Sequence, residues 1–92
     1  MKNKVFDYEL FNALGDKTRF NIISILLDGE KCACVIPILV HRAQPTVSLQ
    51  LKYLVKFGIL SSRREGKKIF YKIIDDRVIK LIKLSTSKGV KE

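Results

Sequence analysis

Three groups of residues in this 92-residue chain carry side chains able to do chemistry on a partner. The first is Gln44-Pro45-Thr46-Val47-Ser48 with Gln50 and Lys52, inside a stretch that runs on to Leu60. The second is Arg63-Arg64-Glu65-Gly66-Lys67-Lys68. Gln can bond adenine through two contacts at once, Ser and Thr can take several base edges or a phosphate, and Lys and Arg pair with phosphates. The third is Cys32-Ala33-Cys34, two thiols one residue apart, which as thiolates suit soft ions.

The first group needs a helix to display it. Pro45 suits the first helical position, where its missing N–H would be unpaired anyway, and this leaves Gln44 at or near the N-cap. Val47, Leu51 and Leu54 then share one face and point into a core. Thr46, Leu49, Lys52, Tyr53 and Lys56 face outward, with Ser48 and Gln50 on the flanks. The second group needs a hairpin. Glu65-Gly66-Lys67-Lys68 is a turn in which Gly66 is free to take a positive φ. Ile59 and Leu60 precede it, and the alternating Ile69, Tyr71 and Ile73 follow it. An ordinary amphipathic helix and a charge-protected edge strand would each account for part of this pattern. Neither accounts for cations clustered at a turn.

Charge decides between them. The chain carries 18 Lys plus Arg against 9 Asp plus Glu, a net of +9. Eight of the basic residues and one acidic residue fall between Val35 and Ile74, so +7 of that charge sits on the stretch that holds the helix and hairpin. A basic surface confined to one supersecondary unit is the footprint of a polyanion binder, with nucleic acid foremost. The expected fold is mainly α with a small β-hairpin, a winged helix-turn-helix whose helix enters the major groove while its wing lies on the flanking backbone. The residues expected to contact DNA are Gln44, Thr46, Ser48, Gln50, Lys52, Arg63, Arg64, Lys67 and Lys68.

Caps and periodicity give the rest of the organisation. A first helix spans about Val5–Leu14 with Phe6, Leu10, Phe11 and Leu14, and Gly15 ends it. Asp16 caps a second helix from Lys17 to about Leu27, apolar nearly all round and closed by Asp28-Gly29. A third begins near Ala33 or Cys34 and ends at Val40. A last helix from Asp75 carries the stripe Val78, Leu81, Ile82. The chain is one domain, near the size at which a single core is only marginally stable, and its 47% apolar residues favour dimerisation. It divides into helix-turn-helix (34–57), wing (60–74), two dimerisation segments (1–14 and 75–88) and a frayed tail (89–92). The apolar runs are too short to span a bilayer, and the first ten residues have no signal-peptide core, so a cytoplasmic location and no membrane partner are expected.

From about Glu9 to Asp76 the sequence resembles the ArsR/SmtB metalloregulatory repressors. The resemblance rests on Ala13-Leu14-Gly15-Asp16-Lys17-Thr18-Arg19, on Gly29-Glu30-Lys31-Cys32-Ala33-Cys34, on Gln44-Pro45-Thr46-Val47-Ser48 followed by Gln50-Leu51-Lys52-Tyr53-Leu54, and on Arg63 to Lys68 with Tyr71. It implies a homodimeric winged-helix repressor, joined through its terminal helices, that leaves double-stranded operator DNA on binding a metal, a metalloid or another effector. It also implies that Cys32 and Cys34 stand where the family's third-helix site keeps its thiolate pair. No cofactor is required; arsenite or a soft metal ion is the expected effector.

The chain departs from the family in several places. His41-Arg42 replaces the usual small and apolar pair in the turn before the reading helix, Pro37 threatens to kink the third helix, and Leu49 replaces a basic or His residue. The last-helix metal site of the family needs His, and none follows His41, so Asp75-Asp76-Arg77 is read as a helix cap and not a metal site. Two thiolates are too few for a tight site, and His41, Asp7 and Glu9 are the nearest candidates for a third ligand. Loss of sensing, a different effector and redox sensing are the competing readings of the cysteines. There is no catalytic triad, Gly-rich phosphate loop or flanking carboxylate pair, so an enzyme is not expected. The alternatives are an effector-independent DNA-binding protein and a winged-helix protein-interaction module.

Overall fold

The structure, a computed structural model, describes residues 6–85. Its elements are α1 (Tyr8–Leu14), α2 (Lys17–Ile25), β1 (Lys31–Cys32), α3 (Ile36–Val40), α4 (Gln44–Lys56), β2 (Leu60–Glu65), β3 (Lys68–Ile73) and α5 (Asp76–Leu84). The expected tail at 89–92 and the outer parts of both dimerisation segments, 1–5 and 86–88, lie outside the described residues.

One core joins all five helices to the base of the hairpin. Ile22 and Ile23 of α2, Ile36 of α3, Val47 and Leu54 of α4, Ile59, Leu60 and Val78 are each almost completely buried. The expected inward face of α4 is present, with Val47, Leu51 and Leu54 buried. Burying such a side chain stabilises by roughly 1.5–3 kcal/mol, more than the ~1 kcal/mol that a capping side chain contributes. This explains why α4 holds without a side-chain cap hydrogen bond. Its N-cap is Ala43 and not Gln44, because the first helical bond runs from the Val47 N–H to the Ala43 carbonyl. Pro45 therefore sits one position further in, still among the N–H groups that a helix leaves unpaired.

Other boundaries shift for similar local reasons. The Asp7 carboxylate accepts the Leu10 N–H at 3.0 Å and starts α1 at Tyr8, three residues later than expected. Asp16 caps α2 as expected, accepting from the Arg19 N–H. That helix ends at Ile25, where three-residue turns at Leu26, Leu27 and Gly29 replace the helical ladder. The third helix is shorter than expected, starting at Ile36, since Cys32 to Val35 form a turn closed by the Val35 N–H on the Cys32 carbonyl. Pro37 falls in its first turn and removes no helical bond.

The sheet is larger than the expected hairpin. Its order is β1-β3-β2, all antiparallel, with Lys31 opposite Tyr71 and Cys32 opposite Phe70 on one side of β3. On the other side the pairing runs from Leu60–Ile73 to Glu65–Lys68. A strand of two residues carries no alternation to read, so β1 has no signature in the sequence.

The turn between α3 and α4 is closed by His41 in the left-handed conformation, φ 57° and ψ 49°. The His41 N–H reaches the Ile38 carbonyl and the Arg42 N–H reaches that of Pro37, the two bonds of a Schellman motif. His stands where Gly is favoured, and its side chain is exposed. His41→Gly should therefore raise stability by up to about 1 kcal/mol, and His41→Val should lower it by about 1–2 kcal/mol, in urea denaturation of the otherwise unchanged chain.

Candidate nucleic-acid interface

The rotation of α4 about its axis follows from its buried face, and it leaves Gln44, Thr46, Ser48, Leu49 and Lys52 exposed. No acidic residue occupies the first turn of α4, so the positive end of the helix dipole is open to a phosphate. In the wing, Glu65 and Lys68 pair across a two-residue turn, with Gly66 at φ 63° in its first position, the arrangement of a type II′ hairpin. Arg64, Lys67 and Lys68 are exposed around that turn.

The tertiary structure brings four of the nine expected residues, Gln44, Ser48, Lys67 and Lys68, to two neighbouring clefts. Gln44 and Ser48 of α4 line a cleft of about 190 Å³ with Ile69 and Tyr71 of β3. A neighbouring cleft of about 210 Å³ is lined by Gln44, Lys67, Lys68, Ile69 and the two cysteines. The start of α4, the wing tip and the thiols thus share one surface.

Two expected contact residues are engaged elsewhere. Gln50 accepts from Arg19 Nη1 at 2.9 Å. The same guanidinium donates to the carbonyls of Ala13 and Asn12 and lies 4.1 Å above the Tyr53 ring. Gln50 and Tyr53 therefore fasten α4 to α1. Arg63 is held by carboxylates: Nε and Nη2 donate to the two oxygens of Glu30, and Nη1 to Glu65, each at 2.8 Å. That pairing holds the Glu30 carboxyl below the usual carboxylate range and raises the Arg63 pKa. Arg19 and Glu30 fall within the stretches that carry the family resemblance, but the sequence assigned them no role, because their partners lie 31 and 33 residues away.

The thiols face each other. Cys34 Sγ donates to Cys32 Sγ at 2.8 Å, the Cys34 N–H points at the same sulfur at 3.4 Å, and both cysteines are free. The hydrogen bond from the Cys34 thiol, helped by its N–H and by nearby Lys68, lowers the Cys32 pKa, while donating that bond raises the pKa of Cys34. No group of three or more His, Cys, Asp or Glu able to hold a metal occurs among the described residues.

At the head of α5 a guanidinium stands among the carboxylates. Asp75 is the N-cap, accepting the Arg77 N–H at 2.9 Å, and Arg77 also donates from its side chain to Asp75 and, at 3.1 Å, to Asp7, the N-cap of α1. The Asp75 carboxyl is held low chiefly by this guanidinium, that of Asp7 first by the Leu10 N–H and then by Arg77. No helix among the described residues is long and apolar enough to cross a membrane.

Comparison with known proteins agrees with this geometry. Residues 16–62 match the profile "Bacterial regulatory protein, arsR family". The chain is 46% identical over 77 residues to an uncharacterized HTH-type transcriptional regulator of Methanocaldococcus jannaschii, covering 83% of this chain and 86% of the relative. It is 36% identical over 75 residues to a homolog of the cadmium resistance regulatory protein CadC from Staphylococcus aureus, covering 80% of this chain and 62% of the longer relative. The fold superposes on a homodimeric winged helix-turn-helix DNA-binding domain from Mycobacterium bovis with a TM-score of 0.73 and 29% identity, over 82% of this chain and 69% of that one.

The asymmetry of the thiols has a measurable consequence, because the thiolate is the nucleophile. Iodoacetamide followed by mass spectrometry from about pH 6 to about pH 9 should label Cys32 before Cys34. Cys34→Ala removes the donor to Cys32, raises the Cys32 pKa and should slow its labelling at neutral pH. Equal rates in the wild type would contradict the shared proton.

Proposed function

The chain belongs to the arsR family of bacterial regulatory proteins and is a DNA-binding transcriptional regulator, not an enzyme; from that premise we propose that it represses as a homodimer released from operator DNA by a thiophilic effector. The observation that carries the DNA-binding surface is the convergence of Gln44 and Ser48 with Lys67 and Lys68 on one exposed side. Gln44, Thr46 and Ser48 read bases in the major groove, Lys52 meets a phosphate, and Arg64, Lys67 and Lys68 hold the flanking backbone.

The apolar residues that the single subunit leaves open support the dimer. Phe6, Tyr8 and Phe11 near α1 are 83%, 73% and 59% exposed, and Leu84 of α5 is 82% exposed. A second copy packing α1 and α5 against their equivalents would cover them. It would place two reading helices about 34 Å apart on a pseudo-palindromic site.

DNA contacts divide by their response to salt and sequence. Gln44→Ala or Ser48→Ala should reduce discrimination between operator and random duplexes by about 1–3 kcal/mol if each reads a base. Arg64→Ala or Lys67→Ala should weaken both duplexes alike and reduce the salt slope by about 1. Fluorescence anisotropy on duplexes from the DNA upstream of its own coding sequence measures both. A wing variant that altered sequence preference at an unchanged salt slope would reverse the assignment.

The effector binds at Cys32 and Cys34. Their place beside Gln44 and the wing lysines supports this, since an ion there perturbs the DNA-facing cleft directly. Two thiolates from one subunit leave a soft ion under-coordinated, so release should be weak unless the second subunit or a small thiol supplies a third donor. Arsenite and cadmium should release DNA from the wild type and fail with Cys32→Ser/Cys34→Ser. An unchanged response in the double variant would place the sensor elsewhere. No response in either protein would favour an effector-independent repressor.

A further inference from the structure

The cations of the wing are not equivalent. All are exposed, but Arg64, Lys67 and Lys68 stand around its turn while the Arg63 guanidinium sits over Phe70 of β3, 4.6 Å from the centre of its ring. Arg63 of β2 pairs with Phe70 of β3, and Phe70 pairs with Cys32 of β1. The side chain therefore crosses the middle strand to reach Glu30, the residue before β1, and grips its carboxylate through two parallel hydrogen bonds of 2.8 Å. Glu65, two residues along the same strand, takes a third donor. Two-point pairing of this kind is the most directional that a guanidinium makes.

The surroundings make this geometry matter. β1 pairs with β3 through only two residue pairs, so few backbone bonds tie that edge to the wing. The side chains of Arg63 and Glu30 are 51% and 29% exposed, a setting in which an ion pair contributes little to global stability but still selects an orientation. Facing two carboxylates, Arg63 also offers a phosphate no net positive charge.

We propose that Arg63 is a positioning residue: it clamps the wing to Glu30 at the corner before β1, and it does not meet a phosphate itself. The proposal rests on the DNA-binding reading given above. Loss of the clamp lets the wing tilt, so Arg64, Lys67 and Lys68 must be aligned at the moment of binding. The number of phosphates finally met does not change.

Charge and clamp predict opposite signs for Glu30, and this makes the test sharp. Removing a negative charge beside DNA should tighten binding if charge alone counts; removing the clamp should weaken it. Anisotropy titrations at several salt concentrations would compare the full wild-type chain with Glu30→Gln, Arg63→Gln, the double variant and Arg64→Gln, on the upstream duplex and a random duplex. Glu30→Gln should bind about two- to fivefold more weakly at an unchanged salt slope, the scale of a well-formed surface pair. Arg63→Gln should keep that slope too, and the double variant, whose net charge equals that of the wild type, should be no weaker than Arg63→Gln. Arg64→Gln should lose about one unit of slope. Arg63→Lys keeps the charge without the planar fork and should behave like Arg63→Gln. It also replaces that variant if the thermal midpoint of Arg63→Gln falls. Tighter binding by Glu30→Gln, a lower slope for Arg63→Gln or wild-type affinity for Arg63→Lys overturns the proposal while leaving the DNA-binding reading in place. A wild-type chain that binds neither duplex overturns both.

Discussion

Strand β3 is hydrogen-bonded on both sides, and much of the functional surface takes its position from that pairing. On one side it holds β2 through six residue pairs and so forms the wing. On the other it holds β1 and, just beyond, accepts the Ala33 N–H on the Ile69 carbonyl at 2.7 Å. The second contact draws the thiols toward the wing. Because side chains alternate across a sheet, a slip of one residue in either ladder would send Arg63 or Cys32 to the opposite face. The burial of Leu60 and the half-burial of Tyr71 and Ile73 against the core oppose such a slip.

The helical half is fixed differently. A polar, uncharged surface on a reading helix does not choose its own direction; the buried Val47, Leu51 and Leu54 do. Arg19 adds a lock by taking two carbonyls at the end of α1, the Gln50 amide and the face of Tyr53 together. The guanidinium thus satisfies helix-end acceptors that would otherwise need water. Side chains at the start of α4 are left free for a ligand, while those on the adjoining flank are committed to the fold.

Several acidic residues perform structural work beside the basic ones. Asp7, Asp16 and Asp75 cap helices, and Glu30 and Glu65 hold Arg63. Arg77 joins the start of α1 to α5 by bridging Asp7 and Asp75, and its fixed positive charge stands at the head of α5, where the sequence reads as a helix cap and not a metal site. The wing charge, read as one block along the chain, separates in space into cations around the turn and one, Arg63, already held by carboxylates.

The sequence by itself determined the elements that depend on near neighbours. The buried stripe of α4, the Asp16 and Asp75 caps and the Gly66 turn are set by contacts within a few residues, and so is the net charge of the helix–wing unit. Gln44 lies one residue inside the N-cap, since Pro45 is tolerated at either of the first two helical positions. What only the tertiary structure decided was which of these polar groups remain available. Gln50 is held by Arg19 and Arg63 by Glu30, while β1 exists only because β3 offers it an edge. These are pairings between residues about 30 to 40 positions apart, and hydrogen bonds of that range leave no periodic trace along a chain because their partners become neighbours only when the core closes.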